Sequence, residues 1–391
     1  MKLGILKDIK ANEYRVVLTP QEVATIVADG HPVLVQEGAG VKAGFRDEAY
    51  RAAGAELVAT AEDIYGAADF VIKVKEFEAS EYSLLRPGQI YLTCIHPAAH
   101  PEEVQALLDS RCIAFTAEDS HRYGSPNCEA AGKQGALFGL HHLLSTNGGK
   151  GKFVGGLAGA PGIRAIILGA GLVGKAALQV LEALGAWCTV MDVNIATMRD
   201  INRQYGDRVH TMLSTKENIR QLLPETDLVL NCVKWPKGSK THLIDREMLK
   251  LMEPGSVIVD ISADENGAIE TYRDTTHADP TYVIDGVIHF GVSNIPASIA
   301  YSASQAYAVS LIGHIRNILN YGVAEACRRD GFLRRALTVY EGVLTHEETS
   351  ALQNREWRTP EDVLDLDPAT CDPAPPATVT RSRERLLSRG G

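Results

Sequence analysis

Residues 165–192, reading AIILGAGLVGKAALQVLEALGAWCTVMD, leave this chain little freedom in what it can build. Ile166, Ile167 and Leu168 form an apolar run of the length expected for a parallel strand buried on both faces. Gly169, Gly171 and Gly174 follow with GxGxxG spacing. In that pattern the first glycine permits a tight turn, the second lets a pyrophosphate approach the backbone, and the third lets helix pack on strand. The phosphates would sit on the helix N-terminus, at Leu172 and Val173, where free N–H groups and the helix dipole favour anions. Thr189 to Met191 then form a second strand ending in Asp192, 18 residues past Gly174. Its carboxylate is placed to accept hydrogen bonds from ribose hydroxyls and to repel a 2′-phosphate, which predicts NAD rather than NADP. A glycine turn alone is common in α/β proteins; the complete strand, turn, helix, strand and acid order carries the reading.

At 391 residues the chain exceeds one typical core, and its 45% hydrophobic fraction supplies ample apolar surface for two or three domains. A formal charge of −10 and a pI near 5.7 argue against a nucleic-acid partner. No basic amphipathic stripe suggests a membrane surface, so small molecules are the expected partners. The opening MKLGILKDIKANEYR has no apolar core of signal-peptide length, and no 18-residue apolar run occurs elsewhere. A soluble cytoplasmic protein is expected. Seven cysteines, at 94, 112, 128, 188, 232, 327 and 371, show neither CxxC pairing nor histidine spacing. They read as thiols of a reducing compartment, with no metal site expected.

The opening segment has its own α/β rhythm. Strands are predicted at Leu3 to Leu6, Pro32 to Gln36, Asp69 to Val74, Ile90 to Cys94 and Ile113 to Thr116, with helices at Pro20 to Val27 and Pro101 to Leu108. Helical periodicity over 129–145 leads through the glycine-rich GGKGKFVGGLAGAPG into the dinucleotide motif. Strands at Leu228 to Leu230 and Ser256 to Asp260 continue that domain, and a long helix spans Ala297 to Leu319. The predicted fold is α/β, with two Rossmann-like domains built on doubly wound parallel sheets. Residues 1–128 and 298–391 form a discontinuous substrate domain, and 129–297 an inserted NAD-binding domain. The helices near 129–145 and 297–319 act as connectors, and the reactants are expected in the cleft between domains. From about residue 355 the Pro-, Asp-, Thr- and Arg-rich composition predicts a mobile tail.

Four further segments place charge where packing is an awkward explanation. Arg15 in NEYRVVLTP precedes an apolar run and a helix-starting proline. Lys73 and Lys75 in KVKEF share one face at a strand end. His96 lies just past a strand, where Pro97 prevents ordinary ladder pairing. Asp264 lies beyond the strand at 256–260, on the side where α/β sheets bind ligands. Taken singly, each also reads as a solvated charge, a turn histidine or an Asx turn.

Together these segments resemble the alanine dehydrogenase family. Its relatives include the N-terminal subunit of the proton-pumping transhydrogenase and, more distantly, the lysine-forming saccharopine dehydrogenases. The resemblance covers roughly residues 1 to 345, through KDIKANEYRVVLTP, EGAGVKAGFRDEAY, KVKEF, HPAA, GGKGKFVGG, GAGLVG, MEPGSVIVDIS, ETYRDTTH and GVIHFGVSNIPAS in that order. It implies that Arg15 and Lys75 clamp the substrate carboxylate and carbonyl, that His96 is the acid/base, and that Asp264 is its carboxylate partner. It further implies that Asp192 and Asn294 contact the cofactor's ribose and nicotinamide side and Ser214 its adenosine region. Cys128 stands where relatives carry a serine that touches cofactor, and Cys232 and Val233, after the fourth cofactor-domain strand, are counted with these contacts.

The residue types suit that chemistry. An arginine grips a carboxylate in a fork that lysine cannot reproduce, and lysine offers a compact charge to polarise a carbonyl. Histidine shuttles protons near neutrality. Other segments depart from the family. GSPNCEAAGKQ and SADENG are altered, and NIPASIAYSAS carries Tyr301 where relatives have arginine. VKWPKGSKTH brings Lys234, Trp235, Lys237 and Lys240 into the loop 233–242. These loops leave NAD chemistry intact and put alanine itself in question as the substrate.

The expected function is NAD-dependent oxidative deamination of a small L-amino acid, or reduction of the corresponding imine. The alternatives are an opine- or saccharopine-type coupling of an amino acid with a 2-oxo acid, and a non-catalytic NAD-binding subunit. The resemblance implies a homo-oligomer.

Overall fold

In the computed structural model the described residues are 1–236, 239, 241–263 and 267–375. Asp264, Lys237 and Lys240 lie outside them. The first six strands are β1 (Leu3–Ile5), β2 (Val33–Gln36), β3 (Glu56–Val58), β4 (Phe70–Lys75), β5 (Ile90–Cys94) and β6 (Ile113–Thr116). Seven more follow: β7 (Arg164–Leu168), β8 (Trp187–Asp192), β9 (Val209–Leu213), β10 (Leu228–Asn231), β11 (Val257–Asp260), β12 (Thr281–Ile284) and β13 (Val287–Phe290). The last pair is β14 (Leu337–Tyr340) and β15 (Val343–Leu344).

The chain forms two compact units. Met1–Pro126 and the chain from Ala300 onward make unit 1, and Asn127–Ile299 makes unit 2. The two boundaries fall at the starts of the helices Pro126–His142 and Ala300–Tyr321.

The sheet of unit 1 runs β15-β14-β6-β5-β4-β1-β2-β3, parallel from β6 to β3, with β14 and β15 antiparallel at one edge. Alternate side chains serve opposite faces: Phe70, Ile72 and Val74 enter one apolar cluster, and Val71 the other. That two-sided burial explains why the strands read as unbroken apolar runs. Unit 2 runs β12-β13-β11-β10-β7-β8-β9, parallel except for β12. Ala165 and Ile167 face one core, Ile166 and Leu168 the other. Each such isoleucine or leucine side chain, fully removed from water, stabilises the fold by about 1.5–3 kcal/mol.

The GGKGK connector is held at the foot of this second sheet. Asp227, fully buried, accepts bonds from Lys150 at 2.6 Å, from Lys152 at 2.8 Å and from the Arg164 amide at 2.9 Å. Burial opposes its charge, but the two lysines and the amide outweigh that and lower its pKa.

The expected mobility of the tail from about 355 does not hold as far as Pro375. Leu364 is buried in the core of unit 1 and Glu361 pairs with Arg334 at 2.6 Å. The Asp372 amide donates to the Arg328 carbonyl at 2.8 Å, and the Asp372 carboxylate accepts from the Gly331 amide at 3.1 Å. The polar composition concealed an apolar anchor, Leu364 flanked by Val363 and Leu366, and a set of arginine partners. Among the described residues no helix is long and apolar enough to cross a membrane.

Candidate functional site

In unit 1 the charged residues collect at the C-terminal ends of neighbouring parallel strands. Lys7 and Asp8 follow β1, Lys75 ends β4, His96 follows β5 and Glu118 follows β6. Asp8 ties the first two together, accepting from the Lys75 amide at 2.8 Å and the Lys10 amide at 3.0 Å. Burial raises the pKa of its carboxyl.

Arg15 is 3% exposed and lies in irregular chain before the helix Pro20–Ala28. Its Nε and Nη2 meet the two oxygens of Glu13 at 2.8 and 2.6 Å, so one edge of the guanidinium is fixed by a bidentate pair. Burial works against the charge, and Glu13 more than offsets it, raising the Arg15 pKa. Behind it, Cys94 Sγ and the Tyr307 hydroxyl are 3.1 Å apart, both buried. Burial pushes the Cys94 thiol up to about 12.

Lys73 and Lys75 do not share an environment. The β4–β5 register shifts between Ile72 and Lys75, which breaks the strict alternation on which the one-face reading rests. Lys73 is 1% exposed and bonded to Glu81 at 2.6 Å, with the Tyr65 hydroxyl on the other Glu81 oxygen at 3.0 Å. It is a buried ion pair of the fold. Lys75 is half-buried, and the Thr93 hydroxyl donates to its carbonyl. The next residue, Glu76, bonds Lys10. Burial would raise the Glu76 carboxyl, but the Lys75 and Lys10 charges bring it down to about 2.

His96 adopts φ +50°, in the left-handed region that a non-glycine residue seldom occupies. Glu118 holds it there, accepting from the His96 amide at 2.6 Å and standing 3.1 Å from Nδ1. Such strain clusters at working sites because neighbouring contacts must enforce it. Glu118 raises the imidazole pKa, but the crowding of the strand ends and the Lys75 charge outweigh it, and the net position is below the ordinary value although the side chain is 46% exposed. The second oxygen of Glu118 is buried and, among the described residues, has no hydrogen-bond partner. Glu118 and Glu13 were not singled out in the sequence. Glu13 sits inside the NEYR motif, and Glu118 two residues past the β6 run, where the same strand-end argument used for Asp264 would have found it.

Unit 2 gathers its candidates in the same fashion. Gly169 and Gly171 follow β7, Asp192 ends β8, Ser214 follows β9, and Cys232 and Val233 follow β10. Gly169 has φ +89°, and a Cβ there would crowd the Cys232 carbonyl and the Val233 side chain, each 3.0 Å away. Gly174 packs so closely that a Cβ would overlap the Gly169 carbonyl oxygen, whereas a Cβ at Gly171 would meet nothing within 4 Å. The exposed Gly171 therefore opens on space, above the first-turn amides of the helix Leu172–Ala183. This cradle fits an anionic pyrophosphate.

Asp192 is half-buried, and its oxygens accept from the Ala170 amide at 2.6 Å and the Asn194 amide at 2.7 Å. It thus fixes the glycine turn itself. The Ser214 amide donates to the Asp192 carbonyl at 3.0 Å, which brings the β9 exit beside it. Burial raises the Cys232 thiol pKa.

Cys128 lies in the first turn of the helix Pro126–His142. One turn on, Gly132 touches the Val173 carbonyl, and Gly135 packs against Ile261 and Ile295. Asn294, 8% exposed, adjoins Ile295, and its carbonyl accepts from His277 Nε2 at 2.9 Å. In the altered loop Trp235 donates to the Thr241 carbonyl at 2.8 Å, and in unit 1 Tyr301 stacks on Phe45 at 4.9 Å.

Comparison with known proteins gives a consistent result. The sequence model for the alanine dehydrogenase/PNT N-terminal domain matches residues 4–126, and that for the alanine dehydrogenase/PNT C-terminal domain matches residues 135–347. An alanine dehydrogenase of Methanococcus maripaludis is 36% identical over 371 residues, covering 93% of this chain and 100% of its own length. One from Mycobacterium tuberculosis is 35% identical over 370 residues, with the same coverage of both chains. Among solved structures, an L-alanine dehydrogenase superposes with a TM-score of 0.85 at 33% identity, over 90% of this chain and 99% of that one. A transhydrogenase from Sinorhizobium meliloti shares the fold, with a TM-score of 0.74 at 23% identity over 89% of this chain and 99% of that one.

Proposed function

The chain belongs to the alanine dehydrogenase/PNT family, and from that premise we propose that it is an NAD-dependent dehydrogenase that reversibly deaminates a small L-amino acid to its 2-oxo acid. The observation that carries the reading is the alignment of Lys75, His96 and Glu118 at successive strand ends of unit 1, with Arg15 in the adjoining segment. A structural subunit has no use for a strained histidine braced by a carboxylate.

The balance is amino acid, NAD⁺ and water giving 2-oxo acid, ammonium, NADH and a proton. Bound NAD supplies the hydride acceptor. Gly169, Gly171, Gly174, Leu172 and Val173 would hold its pyrophosphate, Asp192 its ribose and Ser214 its adenosine region. Cys232 and Val233 wall the turn, and Asn294 and Cys128 serve the nicotinamide side. Arg15 offers a cationic anchor for the substrate carboxylate. Lys75 polarises the carbonyl oxygen of the 2-oxo acid. As water attacks the iminium carbon, His96 takes its proton, and Glu118 stabilises the imidazolium that forms. Asp264 is the second carboxylate assigned to this work. The reading includes a cytoplasmic location and a homo-oligomer, in keeping with Phe153, Leu157 and Trp187, each at least 60% exposed on unit 2.

The test is oxidation of NADH by the purified chain in the presence of a 2-oxo acid and an amine. Turnover that needs all three components is expected. Protein that takes up neither NAD nor NADH would remove the proposal.

A further inference from the structure

Beside Arg15 unit 1 carries a shallow, open depression between Lys7 and Lys42, with Asp8, Glu13, Tyr14 and Gly38 around it. The charges within it are unevenly committed. Glu13 is spent on Arg15, and the Asp8 carboxylate on two backbone amides. Lys7 and Lys42 are exposed, and among the described residues neither ammonium meets a carboxylate. Lys42 Nζ sits 4.9 Å above the Tyr14 ring, an arrangement that steers the ammonium without neutralising it.

The floor is small and rigid. Gly38 has φ +75°, its amide is held by both oxygens of Asp47 at 3.0 and 3.1 Å, and Lys7 Nζ reaches over it. The depression therefore presents two uncommitted cations over a glycine–alanine floor, next to the guanidinium assigned to the substrate's own carboxylate.

We propose that this depression, through Lys7 and Lys42, binds a second carboxylate, so that the reactants together carry two. The inference rests on the amino-acid dehydrogenase reading above and narrows its substrate class. One source is the side chain of a dicarboxylic 2-oxo acid aminated by ammonia. The other is an amino acid acting as the amine in place of ammonia. A lone monocarboxylic 2-oxo acid with ammonia leaves both lysines unused.

The experiment measures NADH oxidation by the full chain in three arms: pyruvate with ammonia, oxaloacetate or 2-oxoglutarate with ammonia, and pyruvate with glycine or lysine and no ammonia. One of the last two arms should exceed the first in kcat/KM by about tenfold, the scale of one charge-assisted hydrogen bond. Which arm does so identifies the source. Lys42→Met and Lys7→Met should then lower that ratio, chiefly through KM for the two-carboxylate reactants, and the loss should shrink as salt is raised. Both positions are exposed, so the variants keep the fold. Pyruvate with ammonia as the best combination, or a ratio indifferent to both substitutions, overturns the second-carboxylate site while leaving the dehydrogenase intact. No NADH oxidation in any arm overturns the dehydrogenase reading, and this inference with it.

Discussion

The two units use one sheet order for opposite chemistry. In unit 1 the parallel strands run β3-β2-β1-β4-β5-β6, and in unit 2 they run β9-β8-β7-β10-β11-β13. Winding therefore reverses between β1 and β4 in one, and between β7 and β10 in the other, the places where such sheets bind ligands. Unit 2 strips side chains from its reversal point, leaving Gly169, Gly171 and the amides of a helix N-terminus. Unit 1 fills the same point with Lys7, Asp8 and Lys75. Even the bracing corresponds. The last residue of the second strand reaches back to the first loop in both, Gln36 to the Lys7 amide at 3.0 Å and Asp192 to the Ala170 amide at 2.6 Å. A neutral amide suits the carboxylates proposed for unit 1, and an acid suits the ribose hydroxyls proposed for unit 2. Topology sets where a ligand goes; the residues at the reversal set which ligand.

The largest expected effect breaks unit 2's half of this comparison. Gly174→Val puts branched carbon onto the Gly169 carbonyl and close to Ile167, so it should cost about 3 kcal/mol or more of stability and abolish NADH binding. Gly171→Ala sharpens the point, because its Cβ meets nothing within 4 Å. It should leave Tm nearly unchanged yet weaken NADH by about tenfold or more, if the space above it is where pyrophosphate approaches. Fluorescence titration with thermal melts separates the two. Equal losses of Tm in both variants would show that Gly171 serves the fold alone.

Next in size is a change confined to unit 1. His96→Ala should lower kcat by about 10²- to 10⁴-fold while NADH binds as before, since the cradle belongs to the other unit. Retention of most of the activity across neutral pH would move the acid/base role elsewhere. Stopped-flow turnover alongside NADH titration distinguishes a chemical loss from a binding one.

How far the sequence foretold this contrast depended on burial. Strands buried on both faces, such as Ile90–Cys94 and Ile113–Thr116, were legible to the residue, because their apolar runs had no other reading. Strands β3 and β9 were not. Their polar residues, Glu56, His210 and Thr211, sit at sheet edges and interrupt the apolar signal. The hairpins β12–β13 and β14–β15 were missed although each closes on a two-residue left-handed turn, Asp285–Gly286 and Glu341–Gly342, which is a local signal; only the antiparallel docking of β14 on β6 is long-range. At the sites, Gly169 and Gly174 were readable because their conformational demands are local. Lys73 misled: periodicity put it beside Lys75, whereas a register shift and the distant Glu81 bury it. Glu118 was missed for a different reason: its place just past β6 was legible by the strand-end argument applied to Asp264, and only its contact with His96, 22 residues away, lay beyond the sequence.

That contact gives the smallest effect and the finest test of the contrast. In the proposed mechanism His96 acts as a base in its neutral form, and the neutral fraction rises as pH climbs through its pKa. The pKa already lies below the ordinary imidazole value, and Glu118 is the largest influence holding it up against the crowded strand ends and Lys75. Glu118→Gln removes the charge while keeping an acceptor oxygen for the His96 amide, so the left-handed turn should persist. Without the carboxylate the pKa falls further, and the acid limb of kcat/KM for oxidative deamination should move to lower pH. The alkaline plateau should drop far less than the ~10²-fold minimum expected on losing the base itself. NADH affinity should not change, because no group of unit 2 is altered. An acid limb that stays in place would mean that Glu118 only props the backbone, and that the carboxylate tuning the base is Asp264.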